Sequence, residues 1–407
     1  MKRPRAVLFA VIFLLAGPAP GHAQPHAHAG HTPVAADAPV SIANGRVPSA
    51  AFDARGRLWL AWVQNDHVYV NYSDDLGQRF SPPVAVNPEP EQIHDNGEAR
   101  PKVALDRDGR VFVAYTRKLP KRFTGNIRFS RSLDGGRSFS RPLTVNDDRE
   151  MISHRFVSMA VDARGGVHLA WLDARDAVAA ADSGRPYDGS ALYYSYSDDH
   201  GAAFQPNRKL ADTTCQCCRI ALALDGTQRP VFFWRHIFAN ASGPGSRDHA
   251  LLRLGTDAAP QRISHENWRV ESCPHHGPAL AIGADGRRHM AWFNIAAGAP
   301  GLYYAYSDDG GRTRSPVHPF GGADSQAQHP HLLERDGRVY LVWKAFDGRR
   351  TTVQLMRSSD GGASWGAPEA LAATSGESDH PFLLQHDGQV YLSWHSAADG
   401  YRLVAIP

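Results

Sequence analysis

Seven times after residue 46 the chain repeats one pattern: a short apolar run, a glycine-containing turn, then an alternating run that ends on an aromatic residue. The alternating runs are GRLWLAW to Trp62, GRVFVAY to Tyr115, GGVHLAW to Trp171, RPVFFW to Trp234, GRRHMAW to Trp292, GRVYLVW to Trp343 and GQVYLSW to Trp394. Successive aromatics lie 51 to 63 residues apart. A repeat of this length built from short alternating strands reads as a blade rather than an independent domain. The expected fold is therefore an all-β propeller over residues 39–407, with seven blades and six as the alternative. Because the run ending YRLVAIP supplies only a third strand to the last unit, Pro39–Ala43 is expected to add the fourth. Such an N-terminal strand would close the ring and remove an exposed edge.

A third strand follows in most units, and five of these strands run into a second motif. It appears as SDDLGQRF at Ser73, SLDGGRSF at Ser132, SDDHGAAF at Ser197, SDDGGRTR at Ser307 and SSDGGASW at Ser358. Arg314 replaces the aromatic of the fourth copy. In this S-x-D-x-G-x-x-aromatic turn the carboxylate can accept backbone N–H groups, the glycine can take positive φ, and the aromatic can tuck between units. The motif resembles the Asp-box, or BNR, repeats of the sialidase superfamily, over essentially everything after residue 40. The resemblance implies a propeller, although true sialidases have six blades. A fold alone does not choose a function.

The beginning of the chain reads as an export signal over residues 1–23. Lys2, Arg3 and Arg5 precede the apolar run Ala6 to Ala16, and Gly21-His22-Ala23 is a small-x-small cleavage site. The apolar run is too short to span a bilayer, so no membrane span is expected. Residues 24–38, opening QPHAHAGHTP, carry no apolar pattern and read as a His-rich tether. The expected location is the periplasm or the exterior. Removing the three basic residues takes the formal charge from +3 to neutral, which argues against nucleic acid as a partner.

In a propeller, the residue before each innermost strand sits at one mouth of the channel. Here those residues are Arg46, Arg100, Arg155 and Arg219, followed by His276, His329 and His380. They describe a cation-rich cup suited to a small anionic ligand or a metal ion. Cys217 and Cys218 precede Arg219, and Cys273 precedes His275 and His276, so the blade repeat brings CQCC and CPHH to one place. Three readings stay open. One is a disulfide staple between blades, compatible with export, although bridges within CQCC close small strained rings. Another is a copper or zinc site made from Cys215, Cys217, Cys218, Cys273, His275, His276, His329 and His380. The third is a redox-active thiol whose pKa is lowered by Arg219.

The sialidase resemblance implies glycoside hydrolysis of an acidic sugar. Arg46-Val-Pro48 stands where the family has its R-I-P motif, so Arg46, with Arg100, Arg155 and Arg219, would hold a carboxylate. Asp66 is the positional candidate for the acid/base. No motif fixes the family's tyrosine–glutamate pair, and CQCC has no place in that chemistry. The chain also resembles nitrous oxide reductase in blade count and mouth histidines, which shows that such a mouth can hold copper. A non-catalytic platform with a protein partner completes the set of readings.

Overall fold

The structure is a computed structural model that describes residues 38–270, 275–295 and 301–407. The expected signal, nearly all of the tether and Cys273 lie outside the described residues. The described residues form seven antiparallel sheets, six of four strands and one of three. The first strands of the sheets are Arg46–Phe52, Lys102–Leu105, His154–Val161, Ala221–Leu224, Ala279–Ile282, Gln328–Arg335 and Phe382–His386. Each packs against the first strand of the next sheet, and the seventh packs against the first. That cyclic adjacency makes a seven-bladed β-propeller. One α-helix, Arg175–Asp182, is inserted in the third blade. Among the described residues no helix is long and apolar enough to cross a membrane.

The second strands carry the core. Leu58–Gln64, Val167–Asp173 and Arg288–Asn294 are buried at every position, because a neighbouring blade covers each face. The repeat aromatics Trp62, Tyr115, Trp171, Trp234, Trp292, Trp343 and Trp394 are all buried there. The S-x-D-x-G turns share one hydrogen-bond pattern. Ser73 Oγ donates to Asp75 Oδ1 at 2.8 Å and accepts from the Gly77 N–H at 2.8 Å, while Asp75 Oδ1 accepts from the Arg79 N–H at 2.8 Å. The same set recurs at Ser132, Asp134, Gly136 and Ser138. The serine hydroxyl is thus as much part of the turn as the carboxylate. Gly136 adopts φ +79°, and a Cβ there would stand 2.5 Å from the Trp59 ring of the preceding blade. Both conformation and close packing therefore demand glycine at this position.

The expected strand at Pro39–Ala43 does not form, and the seventh sheet keeps three strands. The segment instead folds into turns, with the Asn44 N–H on Ser41 O at 3.0 Å and the Gly45 N–H on Ile42 O at 3.2 Å. Side chains close the ring in its place. Phe52 stacks on His386 at 4.8 Å and lies 5.6 Å from Tyr391, while Phe80 meets Tyr401 edge-on. Ile42, Leu384 and Leu403 join Leu58, Leu60 and Trp62 in one apolar cluster. Burying those faces against each other joins the first and last blades without a shared strand.

Candidate metal centre

The lead-in segments before the first strands meet at the mouth, as the repeat predicts, but a glutamate organises them. Glu98 extends from the second blade and is buried. It accepts from Arg219 N at 2.8 Å, Arg219 Nη1 at 2.6 Å and the Gly277 N–H at 2.9 Å. His329 Nδ1 and His380 Nδ1 lie 3.3 and 3.7 Å from the same carboxylate, and their rings stack with centroids 3.5 Å apart. One side chain of blade two therefore touches blades four, five, six and seven. Burial alone would raise the Glu98 pKa, but Arg219 and the hydrogen bonds hold it well below the usual carboxylate range. Burial pushes His329 down to about 4, against the pull of Glu98, and holds His380 well below the usual imidazole range. Burial thus opposes protonation of both stacked rings.

Two members of the expected arginine arc are occupied internally. Arg219 also donates to Pro330 O at 2.9 Å. Arg100, buried, pairs with Asp379, donates to Pro48 O at 2.7 Å and Gly97 O at 3.1 Å, and lies over the Phe382 ring at 4.3 Å. Arg46 pairs with Asp95, and Arg155 lies over Phe123 and Phe156. Asp66 is an exposed turn residue at φ +60°. His154, which flanks the arc, is enclosed by Gly125 O at 2.8 Å, Asp148 Oδ2 at 2.8 Å and Asp173 Oδ2 at 3.8 Å. Burial opposes its charge, but the two carboxylates raise its pKa. Arg175 also binds both carboxylates, so this cluster is an ion-pair network with its acceptors filled.

The cysteines form a different kind of cluster. Cys215, Cys217 and Cys218 lie in the turn between the last strand of blade three, Arg208–Thr214, and the first strand of blade four. All three are buried beneath the exposed Gln216. Their sulfurs fall within 4.8 Å of one another, and Cys215 Sγ is 3.7 Å from Cys217 Sγ. No disulfide joins any two of them, so the staple left open by the sequence is not formed among them. The backbone fixes the turn, with Cys215 N–H on Arg235 O at 3.0 Å. The partner of the thiols is not Arg219, which is held by Glu98. Instead Arg247 Nη1 donates to Cys215 Sγ at 3.2 Å. Hydrogen bonds from Cys217 and Cys218 hold the Cys215 thiol well below the usual thiol range; burial opposes this, and Arg235 and Arg247 assist it. The thiolate character of Cys215 in turn pushes Cys218 up.

The eight expected metal ligands thus divide. Three thiols cluster in the turn, and His329 and His380 face Glu98. The His276 ring packs 4.1 Å from Phe293 and 4.9 Å from His329. His275, at φ +53°, is described but belongs to none of the donor clusters, and Cys273 lies outside the described residues. The likeness of this chain to solved structures is one of fold. An ulvan lyase, described as a new family of polysaccharide lyase, superposes with a TM-score of 0.55 at 9% identity, over 88% of this chain and 91% of its own. The polysaccharide lyase Uly1 gives 0.54 at 9% identity over 90% and 89%. Hadza microbial sialidase Hz136 gives 0.47 at 15% identity over 86% and 76%. No protein-family profile and no curated protein matches the chain in sequence. At such identities the lyases support the propeller and leave the chemistry to the site.

Sequence reasoning missed Glu98 as the hub and Arg247 as the thiolate partner. Glu98 was legible only as a carboxylate near the mouth, and Arg247 sits in a long loop with no repeat to place it. Sequence also gave no tyrosine–glutamate pair, yet the structure contains one. Tyr115 Oη donates to Glu91 Oε2 at 2.7 Å. Tyr115 is buried in the second strand of its blade, and burial with Glu91 beside it pushes its phenol above the usual range. It stands where six other blades carry tryptophan, so it is a core residue rather than a nucleophile.

Proposed function

We propose that this protein binds a thiophilic metal ion, copper in the first instance, through Cys215, Cys217 and Cys218 in an extracytoplasmic setting. The observation that carries the reading is the spacing of three unbridged, buried sulfurs. Thiolates about 2.3 Å from a common ion sit roughly 3.8 to 4.0 Å apart in a tetrahedral or trigonal array, and Cys215 and Cys217 stand at 3.7 Å. Thiolate donors suit copper(I) and zinc. One thiol already has its pKa lowered, which favours ligation. An arginine N–H on a ligand sulfur is the usual kind of outer support for such a site.

Glycoside hydrolysis receives less support from the geometry. A carboxylate clamp needs arginines with open forks, whereas Arg100 and Arg219 are buried in ion pairs with Asp379 and Glu98. The deciding experiment uses protein exported through its own leader, with metal content measured by mass spectrometry and thiols titrated under denaturation. About one copper or zinc per chain, lost in Cys217→Ser, supports the reading. Metal-free protein that gains none from stoichiometric copper(I) overturns it.

A further inference from the structure

We infer that Arg235 and Arg247 tune the thiol centre toward a monovalent ion, copper(I) or silver(I), and against a divalent one such as zinc(II). The inference rests on the metal-binding reading and extends it to two residues that need not touch the ion. The Arg247 guanidinium is anchored on the Cys215 sulfur, and the Arg235 guanidinium is held against the Arg247 backbone. Arg247 Nε donates to Val270 O at 2.6 Å while Nη1 reaches Cys215 Sγ at 3.2 Å. Arg235 is buried, donates to Phe293 O at 2.7 Å, Arg247 O at 3.2 Å and His276 O at 3.3 Å, and lies over the Trp268 ring at 4.8 Å. No carboxylate among the described residues pairs with Arg235. A guanidinium does not give up its proton in a protein, so the positive potential at the sulfurs is permanent.

The charge count on ligation separates the two classes of ion. Three thiolates around a monovalent ion make a centre of net charge −2, and around a divalent ion −1, the thiol protons leaving to solvent in both cases. The more negative complex gains more from fixed cations next to it. That gain is weakly screened, because the thiols are buried. Replacing a +1 ion by a +2 ion adds a positive charge beside two guanidiniums. Other neighbours shift both complexes, but the contribution of Arg235 and Arg247 to the difference keeps its sign. A lysine would supply the charge without the planar N–H fork.

The test is an anaerobic competition of the exported protein against a copper(I)-specific chelator and, separately, against a chromophoric zinc(II) chelator. Wild type is compared with Arg247→Met, Arg247→Lys and Cys217→Ser. Expected is a fall of at least ~10-fold in the copper(I)-to-zinc(II) affinity ratio for Arg247→Met, with most of the ratio kept in Arg247→Lys. An unchanged ratio in Arg247→Met overturns the inference, and the metal-binding reading survives if Cys217→Ser still loses copper(I). Wild type that binds neither ion removes both. Should Arg247→Met fail to fold, Arg247→Lys decides: a ratio that collapses although the charge is retained overturns the electrostatic account.

Discussion

Two polar clusters are built into the lead-in turns of one ring, and they are opposites in how their donors and acceptors balance. Around Glu98, both carboxylate oxygens accept from Arg219 or Gly277, and His329 and His380 stand beside them at 3.3 and 3.7 Å. Around Cys215, three sulfurs face one another, and an arginine N–H reaches one of them. A cluster whose acceptors are filled from within its own fold ties segments together. A cluster of converging thiol sulfurs offers ligand atoms to an ion. The first kind of site should report in stability, the second in binding.

Removing the hub should give the largest effect. Glu98→Ala leaves Arg219 buried without its counter-charge, which typically costs about 3–5 kcal/mol. Chemical denaturation should show it, while copper content per folded chain stays at the wild-type level. Cys217→Ser should give the mirror image: metal is lost, and the metal-free protein moves by no more than ~1–2 kcal/mol, because serine nearly preserves the shape and replaces a weak donor. If the two variants produce the same phenotype, the clusters are one site and the comparison fails.

Acid should separate them further. The folded-state pKa of Glu98 lies below its ordinary value, so its contribution to stability is present above about pH 4.5 and declines as pH falls toward the folded value. Glu98→Gln should flatten that acid limb in denaturation curves taken from pH 6 down to pH 3. Lys102 gives a slope of the same sign in a higher window. Burial beside Arg100 and Arg219 lowers its pKa from 10.5 to about 7, so the unfolded chain binds more protons between those values. Stability should therefore rise with pH across that window, and Lys102→Met should remove the slope. The smallest expected change is in His380→Asn. Its ring shares Glu98 with His329 and two stronger donors, so a loss near ~1 kcal/mol is expected. Copper content should not change, and a copper loss there would restore the mixed cysteine–histidine ligand set.

The blade count and the mouth were legible because they are periodic. Seven aromatics at regular spacing fixed the second strands, and that placed Arg100, Arg219, His329 and His380 together although they are distant in sequence. What repeats can be read; what crosses between repeats cannot. Glu98 reaches over the channel to partners in blades four to seven, and no local pattern encodes that span. The thiolate partner was misjudged for a related reason. Arg219 follows the cysteines directly, but its side chain turns to Glu98, and Arg247 arrives from a loop the repeat does not describe. The closing strand was expected from the open edge of the last unit, but Pro39–Ala43 folds into turns and the apolar seam of Ile42, Tyr401 and Leu403 joins the first and last blades without it.

That seam has a consequence for how the chain reaches its shape. Phe52 and His386 must find each other across most of the polypeptide, and Arg100 must find Asp379 at a separation of 279 residues. Loop-closure entropy makes such meetings unfavourable until the intervening blades are compact. Ring closure should therefore be a late step, and intermediates with several formed blades and an open first–last junction should precede it. In the folded protein the same junction holds no shared strand, so slow amide exchange should begin to fail there first.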